Sequence, residues 1–133
     1  MLRHVLYTPD QADQMVPLIR AIVEDQREVY LRLRHNLAAF KSVEELDDIS
    51  GDHQLPKTVR DDLAELRSYL LEIEELGVRI DDPEKGLVSM RGLVNGEIVN
   101  LCWRLGEPRV AHWYPAGGEH SDRRSLETVP ARA

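Results

Sequence analysis

From Pro9 to about Phe40 the apolar residues Met15, Ile19, Ile22, Val29, Leu33 and Phe40 step by three and four, with Gln26 and Asn36 filling the gaps. Beside them Val16, Val23, Tyr30 and Leu37 repeat every seven residues. This is the apolar stripe of a long helix, on the order of 45 Å at 1.5 Å per residue. Thr8-Pro9-Asp10-Gln11 supplies its start: the hydroxyl accepts a first-turn amide, proline costs no needed donor, and Gln11 reaches back. Pro17 removes a backbone bond early in the helix and predicts a kink. The rhythm lapses over Lys41–Leu55, where Ser42 and Glu45 can cap one short turn and Ser50-Gly51-Asp52 reads as a loop. A second helix, 56–76, carries Val59, Leu63, Leu66, Leu70, Ile73 and Leu76 at three-four spacing and stops at Gly77. Two helices with a short connection predict an antiparallel hairpin.

After Gly77 the period changes to two. Val78-Arg79-Ile80 alternates, Asp81–Gly86 is turn chemistry, Leu87-Val88 is an apolar pair, and Gly92–Gly96 turns into Ile98–Leu105. In that last run Val99, Leu101, Trp103 and Leu105 share the face expected to meet the helices, with Ile98, Asn100, Cys102 and Arg104 opposite. Past Gly106-Glu107-Pro108 the partner strand is Val110–Tyr114, and Leu2–Tyr7 can add an edge strand. The predicted fold is α+β, the helical hairpin packed on a three- or four-stranded antiparallel sheet over 78–114, in one domain, 1–126. From Pro115 the chain loses apolar periodicity, and 127–133 reads as a disordered tail.

Seventeen basic against twenty-four acidic residues give a charge of −7, which repels phosphate backbones and anionic lipids, so neither nucleic acid nor membrane is an expected partner. No segment approaches the roughly 20 apolar residues of a membrane span. A single cysteine forms no intrachain disulfide, which suits the cytoplasm. The apolar stripe of the first helix is longer than one shorter helix and a small sheet can cover. A homodimer through the long helices is therefore expected.

The chemistry-bearing candidates gather at one end of the expected sheet: Cys102, Arg104, Glu107, His112 and Arg123. Each has a plainer reading. Cys102 in mid-strand suits a small buried hydrophobe, and reactivity would need a depressed pKa with Arg104 the nearest cation. A metal site would want Cys102 with His112, joined by Glu107 or His120, yet no two of these ligands lie at a recognised spacing. A three-residue loop would pair Cys102 with His112 but asks Pro108 for a left-handed conformation; a four-residue loop sets Cys102 against Trp113. Glu107 can cap the turn, bridge to Arg104 or bind a ligand. Trp103 and Trp113 suit core anchors, while Gln26 and Asn36 suit a polar layer that sets helix register. Glu72, Glu74 and Glu75 form a solvated face, and His35 with Arg32 and Arg34 is too small a basic patch for nucleic acid. No Glu-x-x-His pair, phosphate loop, nucleophile elbow or dinucleotide fingerprint occurs. No catalytic set and no metal set is complete, and no cofactor is implied.

Tyr7-Thr8 with Ala12 and Pro17, Leu76-Gly77, Gly86-Leu87-Val88, and above all Leu101-Cys102-Trp103-Arg104-Leu105-Gly106-Glu107-Pro108 followed by Trp113 carry a resemblance. The chain resembles a prokaryotic family known as domain of unknown function 2203, over nearly everything up to Leu126. The resemblance implies no activity. In the family's pattern an aspartate and an aromatic follow Gly-Leu-Val, a histidine follows the tryptophan, and a glycine-rich segment ends in arginine. Here Ser89, Met90 and Tyr114 stand at the first three places, and Arg123 matches the last. Two functions compete: a non-catalytic, homo-oligomeric scaffold or interaction module, which the missing chemistry favours, and a ligand- or metal-binding protein or enzyme with its site around Cys102, Glu107 and His112.

Overall fold

A computed structural model of the chain describes residues 5–47 and 55–128, with side chains in the first segment up to Ala39. Helix α1 spans Pro9–Asp47. It begins with the reciprocal cap, Gln11 N–H donating to Thr8 Oγ1 at 3.1 Å and Thr8 N–H to Gln11 Oε1 at 2.9 Å. The helix runs unbroken through Pro17, whose ring lies on the exposed side. It also continues past Phe40, taking in the segment expected as a separate short turn. Lys41–Asp47 lacks apolar periodicity but contains no glycine or proline, so nothing local stops the helix. Helix α2 spans Lys57–Glu75. Gly77, at φ 78°, adopts the left-handed conformation beyond its end, where its N–H donates to Glu74 O at 2.9 Å.

The sheet has five strands rather than three or four: β1 Val78–Asp82, β2 Leu87–Val94, β3 Glu97–Arg104, β4 His112–Tyr114 and β5 Arg124–Ser125, in that spatial order and all antiparallel. The added strand, β5, lies in what reads as an unpatterned tail, because two residues offer no alternation to detect. Leu126–Thr128 form a 3-10 turn, and the remainder of the 127–133 segment lies outside the described residues. Of the expected N-terminal strand, residues 2–4 lie outside the described residues, and among the described ones there is one parallel bridge. Tyr7 pairs with Gly92 where β1 no longer covers the edge of β2, and its hydroxyl donates to Leu76 O at the end of α2.

Ala12, Val16, Ile19, Ile22 and Val23 of α1, Ile73 of α2, and Val88, Met90, Val99, Leu101 and Trp103 of the sheet form one buried cluster. The period-two assignment of β3 therefore holds, with Val99, Leu101 and Trp103 on the core face. Along α1 the apolar line is buried as far as Leu33, so most of the stripe expected to need a second copy is covered within the chain. On α2 the buried positions are Val59, Asp62 and Ile73, whereas Leu70 is 36% exposed and Leu71 55%. Asp62 accepts from Arg32 Nε at 2.9 Å and Asn36 Nδ2 at 2.8 Å, so Asn36 joins a polar link between the helices. No helix of the described residues is long and apolar enough to cross a membrane.

Candidate functional site

The sheet face turned away from the core carries Arg79 and Asp81 on β1, Leu87 and Ser89 on β2, Asn100, Cys102 and Arg104 on β3, and His112 and Tyr114 on β4. Ser89, Cys102 and Tyr114 are nevertheless buried. The segment after β4 returns to this face. Pro115–Gly118 closes by a 2.9 Å backbone bond, a 3-10 turn follows at His120–Asp122, and its Glu119 and Asp122 cap each other's backbone. That return presents His120 and Arg123.

Two linked polar groups result. In the first, Arg79 donates from Nε to Asp81 Oδ1 at 2.8 Å and from Nη2 to Ser89 Oγ at 2.7 Å and Tyr114 Oη at 3.1 Å. The other oxygen of Asp81 meets His120 Nε2 at 2.7 Å, and the His120 ring packs on Tyr114 with centroids 5.3 Å apart. The hydrogen bond to Asp81 holds the Arg79 guanidinium above its ordinary pKa, against the opposing effect of burial. In the second group, Arg123 Nη2 donates to Glu107 Oε2 at 2.6 Å and to His112 Nδ1. A guanidinium only donates, so Nδ1 is the acceptor in this contact. The other oxygen of Glu107 accepts the backbone N–H of Arg104 at 2.7 Å.

Of the five residues singled out by sequence, Cys102, Glu107, His112 and Arg123 come together. Arg104 contributes only its main chain, its side chain being exposed. Glu107 thus caps the turn and pairs with Arg123 rather than with the Arg104 guanidinium. Cys102 and His112 are cross-strand partners. They reach that register without a left-handed Pro108, because pairing stops at Cys102–His112 and Leu105–Ala111 form a wide connection in which Gly106, at φ 105°, takes the strained position. The Cys102 thiol is pushed up to about 11 by burial, with Glu107 and Asp81 adding and Arg123 opposing. It is a buried thiol, not a nucleophile at neutral pH. Among the described residues no group of three or more His, Cys, Asp or Glu side chains is placed to hold a metal ion.

Sequence reasoning missed Arg79, Asp81, Ser89 and Tyr114 as site residues, and it weighed His120 only as a further metal ligand beside Cys102 and His112. The alternation of Val78-Arg79-Ile80-Asp81 was a usable signal, since it sets Arg79 and Asp81 on one face; read as the start of a turn, Asp81 drops out. His120 had no local signal. Around these residues lies a cleft of about 380 Å³ that includes Arg79, Asp81, Asp82, Tyr114, Glu119 and His120. The Ser89 and Tyr114 hydroxyls accept from the same Arg79 nitrogen.

A family model described as "Uncharacterized conserved protein (DUF2203)" matches residues 5–126. No curated protein and no solved structure matches the chain.

Proposed function

The chain belongs to the uncharacterized conserved protein family DUF2203, and on that footing we propose that it binds a small polar molecule in the cleft on the outer face of its sheet. The observation that carries this reading is the cleft itself, walled by hydrogen-bonded Arg79, Asp81, Tyr114 and His120. Arg79 is half exposed at the opening while the Tyr114 and Ser89 hydroxyls it bonds are buried, so the network reaches from the sheet to solvent, an arrangement that suits recognition of a polar ligand. The site adjoins the expected one: Glu107, Arg123 and His112 satisfy one another, and the open volume lies on the Asp81–His120 side. With Cys102 held as a thiol, binding without covalent catalysis is the natural role. Native mass spectrometry of protein purified from its host tests this. A stoichiometric small-molecule adduct lost in Arg79→Ala supports it, whereas a bare chain that also gains no thermal stability from a metabolite library refutes it.

A second reading rests on Leu18, Leu70 and Leu71, 46%, 36% and 55% exposed. In it the two helices form an antiparallel hairpin that pairs with a second copy, giving a cytoplasmic homodimeric scaffold. Light scattering that returns the mass of one chain at micromolar concentration would end this reading.

A further inference from the structure

We infer that His112 and Arg123 form a proton-operated latch: acid hands the Glu107 carboxylate from Arg123 to His112 and frees the segment after β4 from the sheet. One nitrogen, Arg123 Nη2, serves two partners, donating to Glu107 Oε2 at 2.6 Å and to His112 Nδ1. The same carboxylate oxygen lies 3.5 Å from His112 Nδ1. While Nδ1 accepts, the three groups fit together. A proton on Nδ1 turns that atom into a donor aimed at a guanidinium, which has no lone pair to offer, and sets two cations in contact. The acceptor within reach is Glu107 Oε2, so His112 and Arg123 then compete for one oxygen.

Arg123 is the partner that yields. Glu107 is pinned by two further bonds, its Oε1 accepting the backbone N–H of Arg104 at 2.7 Å and its carbonyl accepting Trp103 Nε1 at 2.9 Å. His112 is held in β4 between Cys102 of β3 and Ser125 of β5. Arg123, by contrast, joins a 3-10 turn to a two-residue strand, the shortest in the sheet. Around the ring also stand Arg104, exposed and diagonally across on β3, Tyr114 with its hydroxyl on Arg79, and Glu127, exposed two residues past Ser125. Cys102 is a protonated thiol. None of these is a buried acid that would hold a charged ring beside Arg123. At the other end of the return, His120 Nε2 can donate to Asp81, at 2.7 Å, whether its ring carries one proton or two, so acid leaves that contact in place. The latch works whether or not the cleft holds a ligand.

The test is NMR of the full chain from about pH 7.5 to about pH 5, the span in which histidines titrate. As the His112 ring gains its second proton, the Arg123 Nε resonance and the amides of 107, 112 and 123–125 are expected to shift with the midpoint of His112 rather than that of His120. The Leu126 amide, which donates to Ala111 O at 2.9 Å, is expected to lose protection from hydrogen exchange by ~10-fold, after correction for the intrinsic rate at each pH. His112→Asn, whose Oδ1 accepts in the place of Nδ1 and takes no proton, should keep that protection throughout. His120→Gln, which keeps a donor to Asp81, should lose it as the unaltered chain does. A His112 ring that titrates while Arg123 and residues 123–125 stay unchanged overturns the latch, as does a ring that takes no second proton down to about pH 5. A loss of protection that persists in His112→Asn overturns it equally, and the co-titration in the unaltered chain decides even where the variant does not fold.

Discussion

Gln26→Met should make this protein more stable. Gln26 is 0% exposed in the middle of α1, between buried Ile22, Val23 and Val29, and neither its amide nitrogen nor its amide oxygen has a partner among the described residues. A buried polar group without a partner costs about 1–3 kcal/mol, and replacing it with an apolar group of the same shape removes that cost. Methionine is unbranched, nearly isosteric and equal to glutamine in helix propensity, so neither cavity nor backbone effects should intrude. The expected gain is about 2 kcal/mol, which for a domain of this size raises the melting temperature by about 6–10 °C. Urea denaturation read by circular dichroism would show a higher midpoint at unchanged slope. Gln26→Ala should lose stability, since it removes the same polar atoms but opens a void. A neutral or destabilising Gln26→Met refutes the reasoning, because it means the amide is satisfied by an internal water whose bonds methionine cannot make.

Native Cys102 should react with a disulfide reagent at pH 8 about 100-fold more slowly than in urea, since a thiol at about 11 ionises about 100-fold less than one near 9. The same shift makes stability fall as pH rises from about 9 to about 11: the unfolded chain loses the proton first, while below pH 9 both states keep it. Through this thiol the loss approaches about 3 kcal/mol, and a Cys102→Ala variant that declines just as steeply would rule it out. Gly92→Ala should destabilise by about 2 kcal/mol in urea denaturation. Its Cβ would lie 2.4 Å from Cγ and 2.5 Å from Cδ1 of fully buried Leu101, which has nowhere to go; an unchanged midpoint would mean that β2 and β3 can separate freely at that pair.

What the sequence by itself determined are the features with a local cause. Thr8 and Gln11 specify the start of α1 through a reciprocal cap within one turn, and Gly77 marks the end of α2 because its left-handed conformation suits glycine. The alternation from Val99 to Trp103 assigns β3 its core face, since a strand must turn successive side chains to opposite sides. Tertiary structure alone decided that Asp62 rather than Leu70 is buried on α2 and that Arg124-Ser125 is a strand: a charge is buried only if distant Arg32 and Asn36 meet it, and two residues have no period. It also decided the site. Nothing local to His120 connects it with Asp81, thirty-nine positions away; the two meet because a five-stranded meander carries β1 and the returning C-terminal segment to one face. The pairing of Cys102 with His112 likewise depended on a wide connection that no two- to four-residue loop rule describes, and burial on that face, a property of the whole sheet, is what makes the thiol inert.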